Sequence, residues 1–117
     1  MNKKNWKMEF REGKNVILAT SSKKKIPNAN IVGSLGFIDG SLLVADCQMF
    51  NTIKNLKENK NICVIGGYFR IGGRVKIYSS GKYFDICIRK SKGWSVKNAL
   101  VISIDNVFNL DKGEVVL

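Results

Sequence analysis

Asp39-Gly40 lies between two apolar runs, GFI and SLLVAD, and is the strongest turn signal in the chain. A two-residue turn of this kind needs left-handed backbone and joins adjacent antiparallel strands. Around it, apolar and β-branched runs recur at 15–22 (NVILATSS), 28–38 (NANIVGSLGFI), 41–46 (SLLVAD), 61–67 (NICVIGG), 69–80 (FRIGGRVKIYSS) and 99–110 (ALVISIDNVFNL). The first run is continuous, which predicts a strand buried on both faces. Pro27 opens the second, where its missing N–H costs least, and Gly33 and Gly36 mark a bulge or a close approach to the backbone. Gly66-Gly67 predicts a turn or bend and Gly72-Gly73 an irregularity in a half-buried strand.

Only short helical patterns interrupt these runs. Residues 2–13 carry Trp6, Phe10 and Met8 on one side and Gly13 as a stop. TIKNLKEN (52–59) turns Ile53 and Leu56 inward. GKYFDICIRKSKG (81–93) offers Tyr83, Phe84, Ile86, Cys87 and Ile88 as a core face, with Gly93 ending it. DKGEVVL reads as a tail. A doubly wound sheet needs regular β-α alternation, which is absent, so the expected fold is mostly β, a small antiparallel barrel with short helices.

The 117 residues predict a single domain, 1–117, with no repeat and no linker. No apolar run approaches the roughly 20 residues of a membrane helix, and the basic N-terminus lacks a signal-peptide apolar core. A cytoplasmic protein is expected. Histidine is absent, and Cys47, Cys63 and Cys87 are widely spaced with no CxxC. A disulfide framework, the usual zinc and haem ligand sets and His-activated nucleophiles are therefore not expected, and no metal site is assigned. The cysteines read as small buried apolar residues. Twenty Lys and Arg against nine Asp and Glu give +11. Two readings compete for that charge: nucleic-acid binding, or a solvated basic face around an anionic ligand.

Residues 27–57 concentrate the chemistry. Asn51 is placed to cap the helix that Thr52 begins. Lys54 sits unfavourably near the positive end of the helix dipole unless an anion lies in front of it. Free N–H groups, the Thr52 hydroxyl and the Lys54 ammonium would then hold a phosphate. The plainer alternative is a cap and a solvated lysine. The flat part of such a ligand would lie along Asn30, Ile31, Val32, Gly33 and Ser34, with Asp46, Cys47, Gln48 and Met49 in the facing loop. Trp94, in a second loop, would cover a ring or a subunit interface, or simply pack. Neither GxGxxG nor GxxxxGK[ST] occurs, which weighs against the nucleotide sites those motifs build.

The order of ILATSS, PNANIVGSLGFIDG, SLLVAD, MFNTIKNLKENKNICV, RIGGRVKIYSSGKYFDI and ALVISIDNVFNL resembles the flavin-binding split barrels related to pyridoxamine 5′-phosphate oxidase. The resemblance runs from about residue 14 nearly to the end. It implies a six-stranded antiparallel split barrel, usually a homodimer, with flavin mononucleotide (FMN) at the subunit interface. The strand at Ile31–Ser34 would line the isoalloxazine ring, and Met49–Thr52 with a nearby basic residue would hold the phosphate. Members often carry lysine just before the threonine; this chain has Asn51, and its nearest lysine is Lys54. By sequence, Lys54 and Lys97 are the nearest candidate cations for the ring, and no side chain stands out as an acid or base. The resemblance implies a redox carrier or flavin-dependent oxidoreductase. The alternatives are a barrel for another phosphate-bearing ligand (a deazaflavin or pyridoxal phosphate) and a basic nucleic-acid-binding barrel.

Overall fold

A computed structural model describes residues 3–117; Asn2, the first residue of the expected N-terminal helix, lies outside them. Six strands of six or more residues form the body: β1 (Asn15–Ser21), β2 (Pro27–Gly33), β4 (Ser41–Asp46), β5 (Asn61–Gly66), β6 (Phe69–Tyr78) and β7 (Asn98–Asn109). Two further strands, β3 (Phe37–Ile38) and β8 (Glu114–Val115), are two residues long. The helices are a 3₁₀ helix (Lys3–Phe10), α1 (Asn51–Glu58) and α2 (Lys82–Lys90). Among the described residues no helix is long and apolar enough to cross a membrane.

The pairs are antiparallel and the strand order is β2-β1-β5-β6-β7-β4-β3, with β8 against β7. The two ends of that order, β2 and β3, are joined by residues 34–36 alone, so the sheet must curl until its ends meet. The chain changes partner there within two residues. The Gly13 N–H donates to the Ser34 carbonyl (3.0 Å) and the Ser34 N–H to Lys14 (2.8 Å), still alongside β1. The Leu35 N–H then donates to Leu43 and the Leu43 N–H to Gly36, each at 2.9 Å, already on β4. Gly36 takes φ +87°, a conformation glycine adopts without a Cβ penalty. The single strand expected over 28–38 is therefore two strands around a corner, and the result is a mostly β split barrel.

The Asp39-Gly40 turn forms as expected, with φ of 52° and 81° and Ile38 opposite Ser41. The Gly72-Gly73 irregularity is a β-bulge: Gly72 pairs with Asn106 and Gly73 with Ile104, leaving Asp105 as the extra residue on β7. The core is filled by the inward residues Val16, Leu18, Leu42, Val44, Leu56, Val64, Ile71, Leu100 and Ile102, all essentially inaccessible. Trp6 and Phe10 of the 3₁₀ helix plug the barrel, Trp6 edge-on to Phe37 at 5.9 Å.

Other expectations change. β1 is buried on one face only, because an antiparallel barrel has a single inner face, and Ile17 points outward. Met8 is exposed, since three residues per 3₁₀ turn rotate it away from Trp6. In α2 only Ile86 and Cys87 are buried; Tyr83 and Phe84 are half-buried and Ile88 is exposed. The helix ends at Lys90, before Gly93. Part of the expected tail returns as β8.

A Cβ at Gly73 would stand 2.0 Å from the Ser103 carbonyl oxygen, where backbone cannot yield cheaply. Gly73→Ala is expected to cost about 2–3 kcal/mol through overpacking. Urea unfolding measures it, and a loss below about 0.5 kcal/mol, the scale of an ordinary surface change, would contradict the bulge packing.

Candidate functional site

Alternation on β2 turns Asn28, Asn30 and Val32 toward the inner side and leaves Ala29, Ile31 and Gly33 exposed. In register, Asn28 lies opposite Thr20 and Asn30 opposite Leu18. Helix α1 lies against this corner of β1 and β2. Its Thr52 and Asn55, with Asn59 just beyond its end, fall on one stripe at i, i+3 and i+7, so polar groups meet polar groups. Asn55 Nδ2 donates to Thr20 Oγ1 (3.1 Å) and Asn59 Nδ2 to Ser21 Oγ (3.2 Å). At the helix start, Asn28 Nδ2 donates both to Asn30 Oδ1 (2.9 Å) and to Thr52 Oγ1 (3.0 Å). The Thr52 hydroxyl donates to Asn30 Oδ1, closing a triangle.

Thr52 is therefore fully buried and its hydroxyl is bonded within the fold. Asn51 is not the cap expected of it: it is already helical, Phe50 holds the cap position, and no side chain caps the helix. The reason lies upstream. Buried Asp46 accepts the Met49 N–H on Oδ1 (2.8 Å) and the Asn98 amide on Oδ2 (2.7 Å), and this fixes the approach to α1 before Asn51 is reached. The first-turn N–H groups of α1 are thus left without a capping acceptor.

A cleft of about 530 Å³ opens beside that helix start. Ser22, Lys24, Ile26, Pro27 and Asn28 form one wall; Asn51, Lys54, Asn55 and Glu58 form the other. Lys24 and Lys54 are exposed and make no ion pair among the described residues. Beyond the cleft, a Cβ added to Gly33 would meet nothing within 4 Å, so a flat group has room against this backbone. The donor set fits a phosphate-bearing ligand with an aromatic ring: two ammonium groups and the Asn51 amide at one end, with Glu58 the one carboxylate in the wall, and an exposed strand farther along β2.

The sequence-expected residues fall into groups. Asn30, Thr52, Asn51 and Lys54 come together around the start of α1, and Ile31 and Gly33 lie on the exposed side of β2, Val32 on its other side. Asp46, Gln48 and Met49 form the β4–α1 loop, with Gln48 exposed and Met49 packed on the core. Lys97 joins them, its N–H donating to the Asp46 carbonyl at 2.8 Å. That bond brings the loop carrying Trp94, exposed and turned on Ser91, alongside the β4–α1 loop. Ser34 is set apart: its hydroxyl donates to the Phe10 carbonyl (2.6 Å) and accepts the Gly36 N–H (2.9 Å) at the barrel corner.

Sequence reasoning missed Asn28, Lys24 and Phe50. Two asparagines two apart on one strand share a face, and that spacing was the available signal for Asn28. Lys24 sits in a turn where charge is ordinarily just solvated. The thiols of the region are poor nucleophiles. Burial, then the Asp46 charge, pushes Cys47 up, and burial pushes Cys87 up to about 11.

A sequence model of the family described as "Pyridoxamine 5'-phosphate oxidase" matches residues 3–110. An uncharacterized protein of Methanocaldococcus jannaschii is 29% identical over 114 residues, covering 87% of this chain and 76% of that protein. Among solved structures, HupZ of Group A Streptococcus superposes with a TM-score of 0.83 at 18% identity, over 98% of both chains. An FMN-binding protein of Syntrophomonas wolfei subsp. wolfei reaches 0.70 at 18% identity, over 80% of this chain and 74% of that one. At such identities the structural likeness concerns the fold.

Thr52→Val keeps the shape of the side chain but removes the hydroxyl that both asparagines use. It is expected to lower stability by about 1–3 kcal/mol, with or without ligand, because buried amide groups lose a partner. Unchanged thermal and urea unfolding would mean that the triangle contributes nothing.

Proposed function

Because the chain belongs to the pyridoxamine 5′-phosphate oxidase family, we propose that it is a small FMN-binding flavoprotein, a redox carrier or flavin-dependent oxidoreductase. Residues 1–117 act as one binding domain in this reading. The observation that carries it is the cleft at the start of α1, walled by Lys24, Lys54 and Asn51 with Glu58, together with the open backbone at Gly33 farther along β2. Lys54, Lys24 and Asn51 hold the phosphate end, assisted by the unpaired first-turn N–H groups, while Asn28 is spent on positioning Asn30 and Thr52. Asn30, Ile31, Val32 and Gly33 offer the strand along which the ring lies, and Gln48, Phe50 and Trp94 flank it from the loops. Thr52 and Asp46 contribute by fixing the helix and the loop, and Ser34 by fixing the corner from which β2 leaves.

When bound, the flavin supplies the electron transfer. The protein's residues bind, orient and surround it with positive charge, which favours its reduced, anionic form. In this reading Lys97, beside the β4–α1 loop, is the cation for that task, Lys54 being engaged with the phosphate. Among the described residues no side chain is arranged as an acid or base.

The same reading includes a homodimer with the flavin at its interface. Ile17 faces outward opposite both Ile31 and Ile65 in register, and Ala19 opposite Ala29 and Cys63. The resulting apolar band crosses β2, β1 and β5, with Ile31 73% exposed. Contiguous exposed apolar surface of this kind marks an interaction site. The three free thiols fit a reducing, cytoplasmic compartment.

The test is to mix purified protein with excess FMN, pass it through a size-exclusion column and record the visible spectrum of the protein peak. The expected result is flavin bands co-eluting with a species of twice the 13.1 kDa chain mass. Protein eluting free of flavin would sink the reading. A deazaflavin or pyridoxal phosphate, tried in the same way, would then decide among other phosphate-bearing ligands.

A further inference from the structure

A second cleft, of about 830 Å³, lies on the outer face of β6 and β7 and shares no residue with the cleft beside α1. It is walled by residues of two kinds, sorted by position. Arg74 and Lys76 project from the same face of β6, and Lys60 is drawn beside them by the bond from the Val75 N–H to its carbonyl (2.9 Å). Lys60 and Lys76 make no ion pair among the described residues. Arg74 is oriented by Asp105, the bulge residue of β7, at 3.3 Å from both Nε and Nη2. That contact leaves most of its donors free.

Two residues further along β6 the surface becomes aromatic. Tyr78 and Tyr83 stand with ring centroids 5.3 Å apart, and Val101 provides the floor. Tyr83 is held in place because its hydroxyl donates to Asp39 (2.9 Å), which Lys82 also grips at 2.8 Å. A cationic end and a fixed aromatic end on one rigid strand pair select a ligand that has both an anionic group and a flat ring. The volume falls within the range of small-molecule sites. Self-association through this face would set three cations of one copy against three of another, whereas the apolar band on β2, β1 and β5 carries no such penalty.

We propose that this outer cleft is a second ligand site, one that takes a nucleotide with its base against Tyr78, Tyr83 and Val101 and its phosphates among Lys60, Arg74 and Lys76. Bases stack on aromatic side chains, and phosphates pair with Arg and Lys. The same base–phosphate chemistry is offered by a free nucleotide and by a single-stranded nucleic acid.

Calorimetric titration of the purified chain with ADP, adenosine, inorganic pyrophosphate and an oligothymidylate tests the assignment. ADP is expected to bind once per chain, with adenosine and pyrophosphate each weaker by about tenfold or more. The double variant Lys60→Glu/Lys76→Glu should lower ADP affinity by about tenfold or more. Lys57→Glu/Lys112→Glu, with the same change in net charge elsewhere on the surface, should leave it nearly unchanged. Lys76→Ala alone serves if the double variant does not fold. Oligothymidylate binding that exceeds that of ADP, falls steeply with salt and is lost in the Lys60/Lys76 variant would identify nucleic acid as the source of the same chemistry. Absence of ADP and oligonucleotide binding, or equal weakening by both double variants, would overturn the site.

Discussion

The connection from Ser34 to Gly36 is the constraint on which the rest of the molecule depends. Three residues must carry the chain from one end of the sheet to the other, and they do so only because the sheet curls. The Ser34 hydroxyl secures the corner by donating to Phe10 and accepting from Gly36. Once the corner is fixed, β2 becomes the strand at the opening of the barrel, bonded to β1 on one side and lying under α1 on one face. Its inner asparagines then have no apolar partner to cover them and meet α1 through Thr52, while Asn55 meets Thr20 of β1. A polar seam that is fully satisfied sets one position for the helix, and a half-satisfied one would be worse than apolar packing. Among the described residues no buried side-chain polar atom is left without a partner.

Charge supplies the second layer. Four ion pairs join described residues, all with at least one exposed member, against twenty Lys and Arg in the chain. Such pairs contribute little to stability, and most cations are left to set the field around the molecule. A net charge of +11 on a body of this size attracts anions from a distance, while the clefts decide where they stop. The cleft beside α1 and the cleft over β6 and β7 divide this role, one with an open strand adjoining it and the other with tyrosines.

Much of the architecture was legible because strands and turns write themselves locally. Asp39-Gly40, the irregularity at Gly72-Gly73, the existence of α1 and the alternation on β6 all follow from residues close in sequence. The corner at 34–36 was visible as two glycines, but not its consequence, since nothing local says that the partner changes from β1 to β4. The candidate site was legible in outline: Asn30, Thr52 and Lys54 do lie at the same helix start. Their division of labour was not. Whether Thr52 faces β2 or the cleft depends on the angle at which α1 packs, and that angle is fixed by Asp46 bonding to Asn98, which lies 52 residues away. Lys24 joins Lys54 for the same reason: only the folded hairpin brings the β1–β2 turn to the helix.

Taken together, these features describe a binding frame in which buried, neutral amides and hydroxyls hold the backbone and exposed ammonium groups meet the ligand. The central claim is that the ligand's phosphate, gripped at the start of α1, anchors a flavin laid along β2. Comparing the dissociation constants of FMN and riboflavin for the same protein, by quenching of flavin fluorescence, addresses it directly, since the two differ only in that phosphate. The account predicts FMN tighter by about two orders of magnitude, equivalent to ~2.8 kcal/mol, with most of the difference gone in Lys24→Ala/Lys54→Ala. Equal affinities for the two flavins would contradict it.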